Sequence, residues 1–361
     1  MINNQENSIK VKVFLNRGDF VLDVDMAIPA TGVTAIFGSS GCGKTTLLRA
    51  IAGLEPDCEG LLKINGKFWQ SDKYVMPTHQ RPIGYVFQEP SLFAHLNVQQ
   101  NLEYGAKRVS VSERKISMHK AIDLLGIGSL LKRRPHQLSG GEQQRVAIAR
   151  SLAVCPKILL MDEPLAALDT SRKREILPYL ESLHDELDIP IIYVSHSEDE
   201  VAHLADHLVF LKDGRVSAAG SITEMLTRLD IPLAHGDDAG ALIKASVKKY
   251  DEKFKLNYLS FPGGSIAVSG KKLLPGSRVR LRIAARDVSL TLEHQTATSI
   301  LNIFPAVIEE IIPEGSAQMI VRVSAGGIPI LSRVTLKSSV LLGLKKGKSV
   351  YAQVKSVALL S

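Results

Sequence analysis

The sequence predicts an open α/β sheet domain carrying a helical insertion, followed by a smaller all-β domain. Three observations carry this reading. Buried-type apolar runs alternate with helical periodicity up to about residue 225. A glycine-rich turn joins one such run to a helix. Beyond about residue 242, short alternating strands sit between Pro and Gly turns. At 361 residues the chain is too long for one typical core, so two or more domains are expected.

In chain order, Val11, Val13 and Leu15 alternate as a strand does, Val21-Leu22 begins another, and Val33 to Phe37 is an apolar run of buried type. A helix begins near Lys44 and ends before Gly53, and residues 60 to 87 hold further strands that close on Ile83 to Phe87. The stretch from about 89 to 157 reads as helical, with helical apolar spacing over Ser112–Leu125 and Gly141–Ala153. Strand character returns at Ile158–Met161, Ile191–Ser195 and Leu208–Leu211. His235 to Gly240 has the composition of a linker, and Arg278–Ile283 typifies the alternating strands beyond it. The expected organisation is a domain over 1–230 with its helical subdomain at about 89–157, a linker over 231–242, and a β-rich domain over 243–361.

Composition narrows the function classes. Hydrophobic residues at 45% and charged residues at 22% are ordinary for a soluble globular chain. Aromatics at 5% argue against a base-stacking nucleic-acid binder. A net charge of +7 suits a nucleotide or an anionic membrane face equally. Cys42, Cys58 and Cys155 form no CxxC pair and no metal-ligand spacing, which fits a reducing compartment. The polar Met1–Lys10 lacks signal-peptide order, and no run reaches the roughly 18 apolar residues that cross a bilayer. Work at a membrane would therefore need a docking partner.

Gly38-Ser39-Ser40-Gly41-Cys42-Gly43-Lys44-Thr45 fits G-x-x-x-x-G-K-[ST] between an apolar strand and a helix. Glycines let backbone N–H groups turn towards phosphate oxygens, and the helix start adds its positive dipole end. Lys44 is placed to reach the β and γ phosphates and Thr45 to ligate Mg²⁺, with Thr46 completing the ATP-binding run. Asp162-Glu163 ends the run Ile158–Met161, at the strand edge where such sheets bind ligands. Asp162 would hold Mg²⁺ and Glu163 would polarise the attacking water. His196 follows another buried-type strand and could bond the γ-phosphate or orient the water; Gln88 follows Tyr85-Val86-Phe87 and can bind both Mg²⁺ and water.

Leu138-Ser139-Gly140-Gly141-Glu142-Gln143-Gln144-Arg145 offers a second anion-binding helix start, which makes sense if it closes over the nucleotide of another copy. With these motifs the chain resembles the ATP-binding-cassette subunits of transporters over residues 33 to 214. The resemblance implies a homodimer in which Ser139, Gly140 and Gly141 contact the γ-phosphate in trans, Ala166 to Asp169 line the seam, ATP closes the pair and hydrolysis reopens it. The family stacks an aromatic ring on adenine; Phe14 and Phe20 are available, while the spacing points nearer Leu15. Pro90 to Val98 resembles the importer surface that receives a membrane subunit's coupling helix.

The segments Thr298–Asn302, Ser332–Thr335 and Val354–Val357 resemble the small oxyanion-binding module of molybdate proteins, spanning about 296–361. Arg172–Glu175, Leu177–Leu180 and Tyr193–Ser197 resemble molybdate-importer ATPases. The resemblance implies a P-loop cassette ATPase domain followed by an OB-like domain of molybdate-binding type, with Ser299, Asn302, Thr335, Lys355 and Ser356 as oxyanion contacts. It implies ATP and Mg²⁺ as cofactors, two membrane-spanning permease subunits, an external molybdate-binding protein, and a peripheral seat on the cytoplasmic face of the inner membrane. Leu301 stands where the module often has arginine. The alternatives are a sulfate or other oxyanion importer, a molybdate-sensing or storage module, and a tail that only strengthens the dimer.

Overall fold

The computed structural model describes residues 8–107 and 118–360. The chain forms two units, Met1–Gly220 and Ser221–Ser361. In the first, β1 (Ser8–Arg17), β2 (Phe20–Pro29), β3 (Val33–Phe37), α1 (Lys44–Ala52), β4 (Glu59–Ile64), β5 (Lys67–Ser71), β6 (Tyr74–Val75) and β7 (Ile83–Val86) precede a helical stretch. That stretch comprises α2 (Val98–Ala106), α3 (Met118–Leu124) and α4 (Gly140–Leu152). The part of the expected Ser112–Leu125 helix before Met118 lies outside the described residues. Then follow β8 (Ile158–Asp162), α5 (Thr170–Glu186), β9 (Ile191–Val194), α6 (Glu198–Leu204), β10 (His207–Lys212) and β11 (Arg215–Ser221).

Two sheets result. One has the order β2-β1-β4-β5-β6; its neighbouring strands pair antiparallel, and alternate residues of β1 are buried, as expected for a sheet with one wet face. The other has the order β11-β10-β3-β9-β8-β7, with parallel pairing from β10 through to β7. Every residue of β8 and β9 is buried, because both faces of this sheet are covered. Ile158, Leu160, Ile192 and Val194 pack with α1 and the antiparallel sheet, while Leu159, Met161, Ile191 and Tyr193 pack with the helical stretch and α5. Sheet and helices thus bring the C-terminal ends of β3, β7, β8 and β9 level, with Val194 opposite both Ile36 and Asp162 and Val86 opposite Met161.

The second unit opens with α7 (Ile222–Met225), then β12 (Gly240–Asp251), β13 (Leu256–Phe261), β14 (Gly264–Ser269), β15 (Arg278–Ala284), β16 (Val288–Thr291), β17 (Asn302–Glu314), β18 (Gln318–Ala325) and β19 (Ile328–Thr335). It ends with α8 (Leu336–Leu341), β20 (Ser349–Val354) and β21 (Ala358–Leu359). Two five-stranded sheets, β14-β13-β12-β15-β21 and β16-β20-β17-β18-β19, share one core that includes Leu259, Leu281, Phe304, Val321 and Ala352.

The division falls ten residues before the expected boundary at 230. The expected linker over 231–242 is also not a free connector. Leu229, Ala234 and Ala239 are buried with Ala285, Ile320 and Leu331, so apolar burial overrides a Gly/Asp-rich composition. His235 fastens this segment: Nδ1 lies 2.7 Å from Glu314 Oε2, and Nε2 lies 2.9 Å from the Leu229 carbonyl. Burial pulls the His235 pKa down, but Glu314 and the Leu229 carbonyl outweigh it and hold the imidazole above its ordinary value.

Candidate active site

The turn between β3 and α1 can be built only with glycine at its critical points. A Cβ on Gly38 would stand 2.2 Å from the Leu211 carbonyl oxygen. Gly43 has φ 102°, a left-handed conformation, and a Cβ there would meet the Phe20 ring at 2.6 Å. Gly43 is also the N-cap of α1, and no side chain caps that end, so the first N–H groups of the helix stay available to an anion. The opposite end is closed by Arg81, whose guanidinium donates to the carbonyls of Ala50 and Ile51.

Ser39, Ser40, Gly41 and Thr45 are exposed along the turn, with Thr46 half-buried behind them. Cys42 points the other way: its side chain is 4% exposed within the core, and burial raises its thiol above the ordinary value. What Cys42 offers a ligand is its backbone. The Lys44 ammonium is buried across its own loop, donating to the carbonyls of Gly38 and Ser39 at 2.9 Å each.

Three strand ends deliver the remaining groups. Asp162 ends β8, and its carboxylate accepts the Thr45 hydroxyl on Oδ1 at 2.9 Å and the Tyr85 hydroxyl on Oδ2 at 3.2 Å. Burial pushes the Asp162 carboxyl above its ordinary value, and these two donors pull against that. Glu163 follows with φ 45°, a strained backbone for this residue, and its N–H donates to the Val194 carbonyl at 3.1 Å. Its Oε2 lies 3.1 Å from Nδ1 of His196, which stands just beyond β9. Gln88 is exposed just beyond β7, at the same sheet edge. Lys44, Thr45, Asp162, Glu163 and His196 are therefore gathered. Tyr85 joins them unforeseen; in sequence it looks only like one residue of an alternating strand.

Ser139 caps α4, accepting from the Glu142 N–H, while its own N–H donates to the Glu142 carboxylate at 2.7 Å. That pairing and the neighbouring Arg133 hold the Glu142 carboxyl below its ordinary range, the bond from the Ser139 backbone contributing most. Beside Gly140 and Gly141 lie Leu168, Arg172 and Ile176, so this helix start abuts the Ala166–Asp169 loop. Asp169 in turn caps α5 by accepting from the Arg172 N–H at 3.0 Å. Leu15 is 2% exposed and cannot stack on a base, which corrects the expectation from spacing. Phe20 rests against the phosphate loop at Gly43, and Phe14 is exposed on β1.

The expected oxyanion set does not converge in one chain. Asn302 is buried, and its amide is spent on β14: Nδ2 donates to the Ala267 carbonyl at 3.1 Å, and Oδ1 accepts the Ala267 N–H at 2.7 Å. It is a strut rather than a free contact, since the inward side of β17 falls on residue 302. Ser299, Lys355 and Ser356 are exposed beyond the Asn302–Val354 pair. Thr335 pairs with Gln318, which pairs with Glu314 at the other end of β17 and caps α8 through Ser338. At about 3.3 Å per residue the bulged strand β17 holds the two groups at its opposite ends, at most about 40 Å apart along it. The positive charge nevertheless collects here: residues 221–361 carry 19 Lys and Arg against 11 Asp and Glu, and residues 1–220 carry 25 against 26.

Residues 21–166 match the family described as ABC transporter, and residues 298–360 match the TOBE domain. The molybdenum import ATP-binding protein ModC of Methylococcus capsulatus is 56% identical over 342 residues, 94% of this chain and 96% of that protein. ModC 1 of Azotobacter vinelandii is 51% identical over 357 residues, 98% of this chain and 99% of its own. Among solved structures, cbiO1 from Clostridium perfringens, part of the ABC transporter complex cbiONQ, aligns with a TM-score of 0.53 and 33% identity. The alignment covers 61% of this chain and 90% of that one.

Proposed function

Because the chain belongs to the family of molybdenum-import ATP-binding proteins, we propose that it is the ATP-hydrolysing subunit of a molybdate importer, working as a homodimer with two membrane-spanning permease subunits. One observation carries the reading: Lys44, Thr45, Asp162, Glu163 and His196 meet at one sheet edge, in a chain related to these proteins over nearly its whole length.

ATP enters along the open N-terminus of α1, where the N–H groups of the Gly38–Thr46 run face its phosphates. Lys44 exchanges its two loop carbonyls for the β and γ phosphates. The Thr45 hydroxyl and Asp162 carboxylate, 2.9 Å apart, are hard oxygen donors of the kind Mg²⁺ prefers, with the Gln88 amide oxygen as a further donor. The ion, when bound, neutralises charge on the β and γ oxygens. Glu163 takes a proton as water attacks the γ-phosphorus and the bond to the bridging oxygen breaks, releasing ADP and phosphate. His196, 3.1 Å from Glu163, orients that carboxylate and bonds the γ-phosphate.

Ser139, Gly140 and Gly141 supply the anion-binding start of α4 to the nucleotide of the second copy, so ATP closes the pair and hydrolysis reopens it. No helix among the described residues is long and apolar enough to cross a membrane, which suits a peripheral seat on the cytoplasmic face of the inner membrane. Molybdate reaches the permease from an external binding protein. In the basic C-terminal unit, Ser299, Lys355 and Ser356 of one copy with Thr335 of the other would hold molybdate and slow further uptake.

The test is Glu163→Gln in the full chain reconstituted with its permease. ATP binding should persist while phosphate release falls by about 10²- to 10⁴-fold, the usual worth of a general base. Hydrolysis within threefold of wild type would remove Glu163 from that role. In the wild-type complex, ATP-dependent uptake of sulfate in preference to molybdate would overturn the cargo.

A further inference from the structure

Glu200 lies in the first turn of α6 and is 3% exposed, yet it touches no nucleotide-facing group directly. An acid buried this deeply is costly unless donors surround it. Here they do. Lys173 donates to Oε1 at 2.8 Å, and the hydroxyls of Tyr193 and Ser195 donate to Oε2 at 2.8 and 2.7 Å. Ser195 Oγ accepts the Ser197 N–H at 3.0 Å, and Ser197 Oγ accepts the Glu200 N–H at 3.4 Å. Both neighbours of His196 are thus tied to Glu200, Ser195 through the carboxylate and Ser197 through the backbone N–H. Tyr193 is fully buried, and burial together with the Glu200 charge pushes its phenol well above the ordinary range, so it remains a donor.

The fourth partner comes from elsewhere in the unit. Lys173 stands one helical turn after Asp169, the residue that caps α5 and ends the Ala166–Asp169 loop. That loop lies against Gly140, at the start of α4. One buried carboxylate therefore joins two segments: the loop that carries His196, and the helix that begins at the expected dimer seam. Apolar packing alone would be served by leucine at position 200. The donors from two separate segments are what a carboxylate adds.

We propose that Glu200, through Lys173, is a positioning residue that couples the His196 loop to the Ala166–Asp169 loop during ATP turnover. The inference rests on the ATPase reading given above. A shift of either loop is transmitted through the Lys173–Glu200 bond, so each site's hydrolytic geometry depends on the seam that the other copy completes. Lys173 is the better residue to vary. It is half-buried, and its removal leaves Glu200 with Tyr193 and Ser195.

In the full chain, Lys173→Met should lower kcat about tenfold, since small misplacements of a reacting group cost this much or more. The ATP concentration at half-maximal rate and the affinity for a fluorescent ATP analogue should change less than twofold. Lys173→Arg, which keeps the ion pair, should restore kcat. In a His196→Ala background, measured by single turnover, Lys173→Met should produce no further loss, because two residues acting through one group are not additive. A Lys173→Met protein whose melting temperature drops while kcat per folded molecule stays within twofold would overturn the proposal; so would full additivity with His196→Ala. Should Lys173→Met not fold, Glu200→Gln takes the same measurements. A wild-type chain without ATPase activity would instead fail the underlying reading.

Discussion

Replacing Tyr85 with phenylalanine removes one oxygen from the candidate site and nothing else. The ring keeps its packing against Phe87, whose centroid lies 4.4 Å away. What is lost is the 3.2 Å bond to Asp162 Oδ2, a donor to a carboxylate only 6% exposed. Hydrogen bonds to charged groups contribute about 1.5–3 kcal/mol. This one is long, and Thr45 still serves the other oxygen at 2.9 Å, so about 1–2 kcal/mol is expected. For a unit of this size that is roughly 3–6 °C in melting temperature. The measurement is thermal and urea unfolding of the full chain, first in EDTA and then with saturating Mg²⁺ and ATP. The deficit should appear in EDTA and shrink with Mg-ATP, because the carboxylate then gains a cationic partner. A deficit below about 0.5 kcal/mol in EDTA, within ordinary surface-mutation scatter, would refute the assignment of Tyr85 to Asp162. A deficit that Mg-ATP leaves unchanged would show that the bond is structural only.

Further outcomes can be checked in the second unit. Asn302→Ala strands the N–H and carbonyl of Ala267 and should cost about 2 kcal/mol, one for each lost bond, with no loss of molybdate binding by isothermal titration; abolished binding in a folded variant would restore Asn302 as a contact. His235, held above its ordinary value, contributes stability that is full below about pH 6.5 and fades as pH rises through the raised value. Glu314 is held below its ordinary range by His235 and Gly236 despite burial, so its contribution is lost only as pH falls through that lowered value. The unfolding free energy of this unit should therefore decline from pH 6 to 8.5, by less than about 1 kcal/mol for a partly solvated pair. His235→Gln should flatten that slope; an identical slope in the variant would assign it to other groups.

The candidate site's sheet edge is legible in sequence because its parts are local. A phosphate loop needs glycines at fixed offsets, and Asp162-Glu163 and His196 each announce themselves as polar groups that end an apolar run. Tyr85 and Glu200 were not legible. Tyr85 meets Asp162 across 77 residues, and Lys173 meets Glu200 across 27, so no spacing rule reaches them. Asn302 stands apart from its expected role for a related reason. Polarity suggests a free ligand group, whereas the pleat of β17 turns position 302 inward and gives its amide to a neighbouring strand. The segment 231–242 shows the converse: the small apolar side chains of Ala234 and Ala239, together with His235, anchor it within loop-like composition.

Lys44, held by two carbonyls of its own loop, bears on the speed of the proposed cycle as well as on its chemistry. A cation satisfied by the carbonyls of its own loop helps to fix that loop's shape from within the chain. In the proposed reading the phosphates would replace what the lysine already has, and the net attraction from this residue would be a small difference between two good arrangements. Departure is correspondingly easy, since the ammonium has somewhere to return. For a cassette that discards spent nucleotide on every stroke, a grip that relaxes onto itself would shorten the wait before the next one.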